Sequence, residues 1–132
     1  NYIFAFKKNG QWGVMNASKK VIIPAQYASI AIYDDKYIVA NMEFGEGVLS
    51  IKNEEIIPMN FESIEYLSDD LFLAESETGF GVLRKKELIV PLEFDSVQLF
   101  GKDYLLLIKS DRWAYLEIAT GKLIEMRVDT GE

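Results

Sequence analysis

Carboxylates are the side chains through which this sequence could carry out chemistry. The chain holds 21 Asp and Glu residues, and it has no His and no Cys. A nucleophile activated by an imidazole base and a metal site built from thiolates are therefore both excluded. A pair of carboxylates is enough for glycoside hydrolysis, but no spacing singles out such a pair among so many acids. We predict that the protein is not an enzyme and that it uses no cofactor.

Three Asp-containing dipeptides raise a second chemical possibility, the binding of Ca²⁺. They are Asp34-Asp35, Asp69-Asp70 and Lys102-Asp103, and each ends a segment of similar length. A Ca²⁺ site needs about six to eight oxygen ligands that converge in space, whereas these dipeptides lie far apart and lack the spacing of a Ca²⁺-binding loop. Asp is also common in turns. The sequence therefore predicts turns here and no metal site.

Negative charge is concentrated in one part of the chain. The net charge is −7, and residues 43–77 alone contain ten acids and a single base, Lys52. Nucleic acids and anionic membranes gain their affinity from Lys and Arg, so both are disfavoured as partners. A basic protein is the natural electrostatic complement. The other interpretation is a solvated face that keeps the protein soluble.

The predicted binding surface combines these acids with aromatic side chains, because interfaces need apolar anchors beside their charges. The nearest aromatic candidates are Phe44, Tyr33 and Tyr66. We predict that a partner contacts Glu43, Phe44, Glu46, Glu54, Glu55, Glu62, Glu65, Tyr66, Asp69 and Asp70.

An internal repeat of about 34 residues must position these side chains. Its columns are Gly13, Gly47 and Gly81; Pro24, Pro58 and Pro91; Tyr27, Phe61 and Phe94; and Ser29, Ser63 and Ser96. Trp12, Glu46, Phe80 and Trp113 precede the Gly column, which has Ala114 in the last copy. The four copies span approximately residues 1–35, 36–70, 71–103 and 104–132. We expect them to form a single domain, because a unit this short cannot bury its apolar face alone.

Each copy reads as short strands joined by turns. In the first copy the expected strands are 2–7, 12–15, 21–23 and 27–32, with a hairpin turn at Asn9-Gly10 and a strand end at Pro24. Tyr2-Ile3-Phe4-Ala5 is aligned with Tyr37-Ile38-Val39-Ala40. No helical period extends over ten residues. The prediction is an all-β fold of four tandem repeats in an open, half-propeller-like array, with a twisted array of hairpins as the alternative.

The columns resemble the bacterial WG repeat, in which Trp-Gly opens a strand and Ile-Pro-x-x-aromatic follows. The matching residues are Gln11-Trp12-Gly13-Val14 and Ile22-Ile23-Pro24-Ala25-Gln26-Tyr27. The resemblance implies a β-repeat fold and carries no catalytic residues. Small acidic β-proteins of this kind also resemble bacterial immunity proteins, which neutralise a cognate toxin.

These observations predict a non-catalytic protein-binding module. The preferred form is a small immunity protein that covers the active-site groove of a cationic toxin, such as a nuclease. The alternative is a WG-repeat segment of a larger surface or secreted protein, and a carboxylate-based hydrolase is third. The N-terminal residues lack the basic start and apolar stretch of a signal peptide, which predicts a cytoplasmic protein. No apolar run approaches about 18 residues, so no membrane helix is expected.

Overall fold

The computed structural model describes residues 2–68 and 70–128, without the side chains of 125–128. Over these ranges the chain forms fifteen β-strands and no helix. The strands make four antiparallel sheets. The predicted all-β fold of tandem β-units is therefore confirmed.

The sheets follow one another along the chain. The first contains β1 (Ile3–Lys8), β2 (Gln11–Asn16) and β3 (Val21–Tyr27), in that order. The second contains β4 (Ser29–Tyr33), β5 (Tyr37–Met42), β6 (Gly45–Ser50) and β7 (Glu55–Phe61). The third contains β8 (Ser63–Ser68), β9 (Leu71–Ser76), β10 (Gly79–Arg84) and β11 (Glu87–Phe94). The fourth contains β12 (Ser96–Phe100), β13 (Tyr104–Lys109), β14 (Arg112–Glu117) and β15 (Leu123–Val128).

The boundaries between the sheets are shifted by one strand relative to the boundaries between the sequence repeats. The strand expected to complete the first copy, β4, instead pairs with β5 in the second sheet, where Tyr33 is opposite Tyr37. Only Ala28 separates β3 from β4, and one residue is too short a connection for a strand to fold back on its neighbour. The longer turn at 34–36 allows the reversal. The first sheet consequently has three strands.

The alignment of the first strands also needs correction by one residue. Phe6 pairs with Gly13 and Ala40 pairs with Gly47, so Phe6 is equivalent to Ala40. Ile3, rather than Tyr2, is therefore equivalent to Tyr37. The hairpins fix this register, because both have two-residue loops between paired residues.

The Gly and Pro columns are two halves of one structural feature. In the second sheet Glu46 pairs with Phe61 and Val48 with Ile57, so three residues of β7 lie opposite Gly47 alone. A Cβ atom on Gly47 would lie 2.5 Å from the carbonyl oxygen of Ile57. The first and third sheets have the same bulge.

The bulge explains why the prediction of a strand end at Pro24 is wrong. β3 continues to Tyr27, because a proline without an N–H group is tolerated where the ladder is interrupted. The fourth sheet supports this relation. There the residue at the Gly position is Ala114, which pairs with Met126 in a regular ladder.

The chain divides into two compact units, residues 1–66 and 67–132. Each has its own apolar core. In the first unit, the face of the first sheet that carries Ile3 and Val14 packs against the face of the second sheet that carries Ile38 and Leu49. In the second unit, the face of the third sheet with Leu71 packs in the same way against the fourth sheet. That the whole chain is one domain stays a prediction.

One packing rule is common to both units. We call the face with Ile3, Tyr37, Leu71 or Tyr104 the forward face of its sheet, and the opposite face the backward face. The forward face of the earlier sheet packs against the backward face of the later sheet in each unit. The alternation of side chains along a strand makes the two faces distinct.

Candidate functional site

The antiparallel hairpins of the second sheet place the acidic residues of the segment 43–77 that belong to it at two opposite ends of the sheet. Glu43 and Phe44 form the loop between β5 and β6, and Glu62 follows β7 at the same end of the sheet. Glu54 and Glu55 lie at the opposite end, where β7 begins. A strand of six residues spans about 20 Å, more than twice the screening length of about 8 Å at physiological salt. The two groups therefore act as separate charges.

The end of the sheet with Glu43, Phe44 and Glu62 is called the acidic tip. The side chain of Phe44 is 90% exposed, the largest value among the exposed large hydrophobic residues described. Both carboxylates of the tip are exposed as well. Glu62 is close to the hairpin because Phe61 pairs with Glu46, next to Gly45. An aromatic ring flanked by carboxylates suits a Lys or Arg side chain, whose stem packs on the ring while its charge meets the acids.

Glu46 has a role inside the fold. Its Oε1 accepts a hydrogen bond from the backbone N–H of Ile64 at 2.8 Å, and its Oε2 accepts one from Nδ2 of Asn41 at 2.8 Å. Ile64 is buried, so its N–H group would otherwise need another acceptor. The Glu that replaces the Trp of the repeat thus joins β6 to β8.

Tyr66 is held in an aromatic cluster. Its ring lies 5.4 Å from that of Tyr33 and 5.7 Å from that of Tyr37, in tilted arrangements. Tyr66 and Tyr33 are half-buried, so of the three aromatic candidates Phe44 is the one presented to solvent. Glu65 lies on β8 with its side chain exposed.

The opposite end of the second sheet carries charges of both signs. Lys52 lies in the same turn as Glu54, and Lys36 lies in the turn between β4 and β5 at this end. The ammonium of Lys36 is 5.0 Å from the centre of the Tyr37 ring. Asp34 and Asp35 share the turn with Lys36, so this end and the acidic tip each carry a net charge of −2, and the tip differs in having no base in its own loop.

The remaining acidic candidates lie at turns. Asp34 and Asp35 have φ angles of 55° and 47°, and Asp70 has 67°. Asp tolerates this left-handed conformation better than most residues. Asp70 falls in the second unit, and Asp69 lies outside the described residues.

Two other kinds of site are absent from the described residues. In the part of the chain that the structure describes, no three acidic side chains come together in a way that could hold a metal ion. Over the same residues, no helix is long and apolar enough to cross a membrane.

Sequence reasoning missed an apolar surface on the fourth sheet. Its forward face carries Leu106, Ile108, Trp113 and Tyr115, which line a groove of about 350 Å³. Phe100 and Tyr104 adjoin a second groove of about 180 Å³ on the same face. Tyr115 occupies the column in which the other copies have a buried Val, and that substitution was the available signal.

Comparison with protein families supports the repeat. Residues 12–43 match the model of the WG containing repeat, so the predicted resemblance is confirmed over that segment. The comparison with curated proteins finds no match.

Among solved structures, Hsv2p of Kluyveromyces lactis is similar, with a TM-score of 0.56 and 15% identity over 96% of this chain and 47% of that chain. The computationally designed Ika8 protein has a TM-score of 0.49 and 12% identity, over 96% of this chain and 46% of its own. The WD40 β-propeller domain of Doa1 has a TM-score of 0.42 and 9% identity, over 94% and 49%. The chain spans about half the length of each of these three structures. The WG match and this fold support a structural or binding repeat domain.

Proposed function

We propose that the chain is an immunity-type protein, a non-catalytic binding module that neutralises a cationic toxin such as a nuclease. The acidic tip is the contact surface in this proposal, and it covers the basic groove in which the toxin holds its polyanionic substrate. The exposure of Phe44 between Glu43 and Glu62 is the observation that carries the proposal. An exposed aromatic ring beside two carboxylates combines an apolar anchor with the charges that a basic partner would meet.

The geometry favours the tip over the rest of the acidic segment. Glu46 is engaged by the backbone of Ile64, and Tyr66 by the rings of Tyr33 and Tyr37. Glu54 and Glu55 lie at the other end of the sheet beside Lys52. Glu43 and Glu62 instead act together with Phe44, so charge and apolar anchor coincide at one place.

The test uses the basic protein encoded beside this chain, provided that it has a toxin-like C-terminal domain. Binding is measured by biolayer interferometry at about 50, 150 and 500 mM NaCl. We expect the affinity to fall as salt rises, because charge pairs across the interface are screened. We expect Phe44→Ala to weaken binding at least tenfold, as removal of a central anchor does.

A matched pair of charge variants locates the surface. Glu43→Gln with Glu62→Gln removes two charges from the tip, and Glu54→Gln with Glu55→Gln removes two from the opposite end. We expect the first pair to slow association and to reduce the salt dependence, and the second pair to change affinity less than about threefold. Equal effects of the two pairs would exclude the tip. A basic neighbour that does not bind at all would refute the immunity function.

A second candidate is a structural or binding segment of a larger surface or secreted protein. The observation that favours it is length, because the chain covers 47% of the similar Hsv2p structure. A gene that continues beyond residue 132 with further repeats would support this candidate.

A further inference from the structure

We propose that the forward face of the fourth sheet is an interface for a second copy of this chain, which it contacts through the backward face of that copy's first sheet. The proposal is independent of the toxin-binding function, because it uses other residues. It follows from the packing rule that holds inside both units.

The forward face of the fourth sheet is the kind of surface that another sheet covers elsewhere in the chain. Val14 and Val82 occupy the same column on the forward faces of the first and third sheets, and both are 0% exposed beneath the following sheet. In the fourth sheet this column holds Tyr115, which is half-buried. Its ring lies 4.9 Å from that of Phe100 and 5.4 Å from that of Trp113.

The backward face of the first sheet is the complementary surface. Phe4 and Met15 occupy the columns of Ile38 and Leu49, which are 0% and 5% exposed because the first sheet covers them. Phe4 itself is 42% exposed, and Val21 on the same face is 48% exposed. These residues are apolar, as on a packed face, while Lys8 and Gln11 lie at the end of the face next to the loop between β1 and β2.

A charge pair at one end also favours contact between these two faces. The groove of about 350 Å³ on the fourth sheet includes Asp111, in the loop between β13 and β14, and the neighbouring Arg112. A groove of about 370 Å³ on the first sheet includes Lys8 beside the equivalent loop. Packing in the order found inside the units brings these two loops to the same end of the interface, where Lys8 has Asp111 as a partner of opposite charge, with Arg112 beside it.

We assign a second copy of the chain as the partner, because one chain carries both of the surfaces that the contact needs, the forward face of the fourth sheet and the backward face of the first. The contact is head-to-tail, since the two surfaces differ and lie on different sheets. It continues the sheet-on-sheet packing of a fold of which this chain covers 47% in Hsv2p.

The test is the mass of the 132-residue chain in solution, measured by size-exclusion chromatography with multi-angle light scattering from about 5 to 200 μM. We expect a dimer or a higher multiple of 15.1 kDa that increases with concentration. Tyr115→Lys on the forward face and Phe4→Lys on the backward face should each give a monomer with an unchanged β-sheet circular dichroism spectrum. Ile108→Lys provides a second forward-face variant if Tyr115→Lys fails to fold.

The two variants are then mixed in equal amounts. A mixture of Tyr115→Lys and Phe4→Lys retains one intact face of each kind, so a dimer should return at concentrations at which each variant alone is monomeric. Phe44→Lys is the control, because Phe44 lies on the acidic tip, and its mass should equal that of the unmodified chain. A monomeric unmodified chain at 200 μM, or a mixture that does not associate, would overturn the proposal. Loss of toxin binding in Phe44→Lys with retained self-association separates the two functions.

Discussion

Substitution of Gly47 by Ala tests the bulge that links the Gly and Pro columns. A Cβ atom at this position would lie 2.5 Å from the carbonyl oxygen of Ile57, 2.8 Å from the amide nitrogen of Met59 and 2.8 Å from the carbonyl carbon of Pro58. Ordinary contact begins at 3.4 Å, so β7 must move away by about 0.9 Å, the difference between 3.4 and 2.5 Å. All three neighbours are backbone atoms, so no side chain can rotate to relieve the clash.

The magnitude follows from the groups that must move. Overpacking in a well-packed region costs about 1–3 kcal/mol, and weakening one ladder hydrogen bond adds about 1 kcal/mol. We expect Gly47→Ala to lower the free energy of unfolding by about 3 kcal/mol, which raises the unfolding equilibrium constant more than 100-fold. Urea denaturation followed by circular dichroism measures this loss.

Two control substitutions isolate the clash from the loss of a glycine. Gly10 has a φ of 81° and no atom within 4 Å of an added Cβ, so Gly10→Ala should cost only about 1–2 kcal/mol, from backbone strain. Ala114→Gly should not raise the free energy of unfolding, because β15 has no bulge opposite residue 114 that a glycine would accommodate. The explanation fails if Gly47→Ala costs no more than Gly10→Ala.

Two further substitutions test the connections within the first unit by the same assay. Glu46→Ala leaves the buried N–H of Ile64 without its acceptor and should cost about 1–3 kcal/mol, whereas Glu65→Ala, at an exposed position, should change stability by less than about 0.5 kcal/mol. Equal losses would show that Glu46 does not join β6 to β8. Ile57→Ala removes a side chain that is 0% exposed and should cost about 2–5 kcal/mol, while Ile51→Ala, at 41% exposure, should cost less than about 1 kcal/mol. A small loss for Ile57→Ala would place the core elsewhere.

Several features of the candidate site could be predicted only in part. The sequence indicates which residues are acidic and that Phe44 lies among them. It does not show that Glu43 and Glu54 lie at opposite ends of one sheet, because this depends on the number of strands between them. It also gives no sign that Glu46 accepts a hydrogen bond from Ile64, since a substitution of Trp by Glu fits an exposed binding residue equally well.

The apolar end surfaces show a similar limit. Phe4 and Tyr115 have the residue types of a core, and periodicity alone assigns them to one. Within their own units, Phe4 lies on the face of the first sheet opposite to the one that packs on the second sheet, and Tyr115 on the face of the fourth sheet opposite to the one that packs on the third. The alternation of residues along a strand shows that a face is apolar, but it does not show whether another sheet covers that face.

The sequence by itself determined the repeat, the all-β class and the positions of the hairpin turns. These are local properties, set by alternation along a strand and by residues that favour turns. The tertiary structure alone decided that β4 pairs with β5, that Pro58 lies in a bulge against Gly47, and that the acids form two groups. Each of these depends on which strands are neighbours in a sheet, and residues far apart in the chain determine that arrangement.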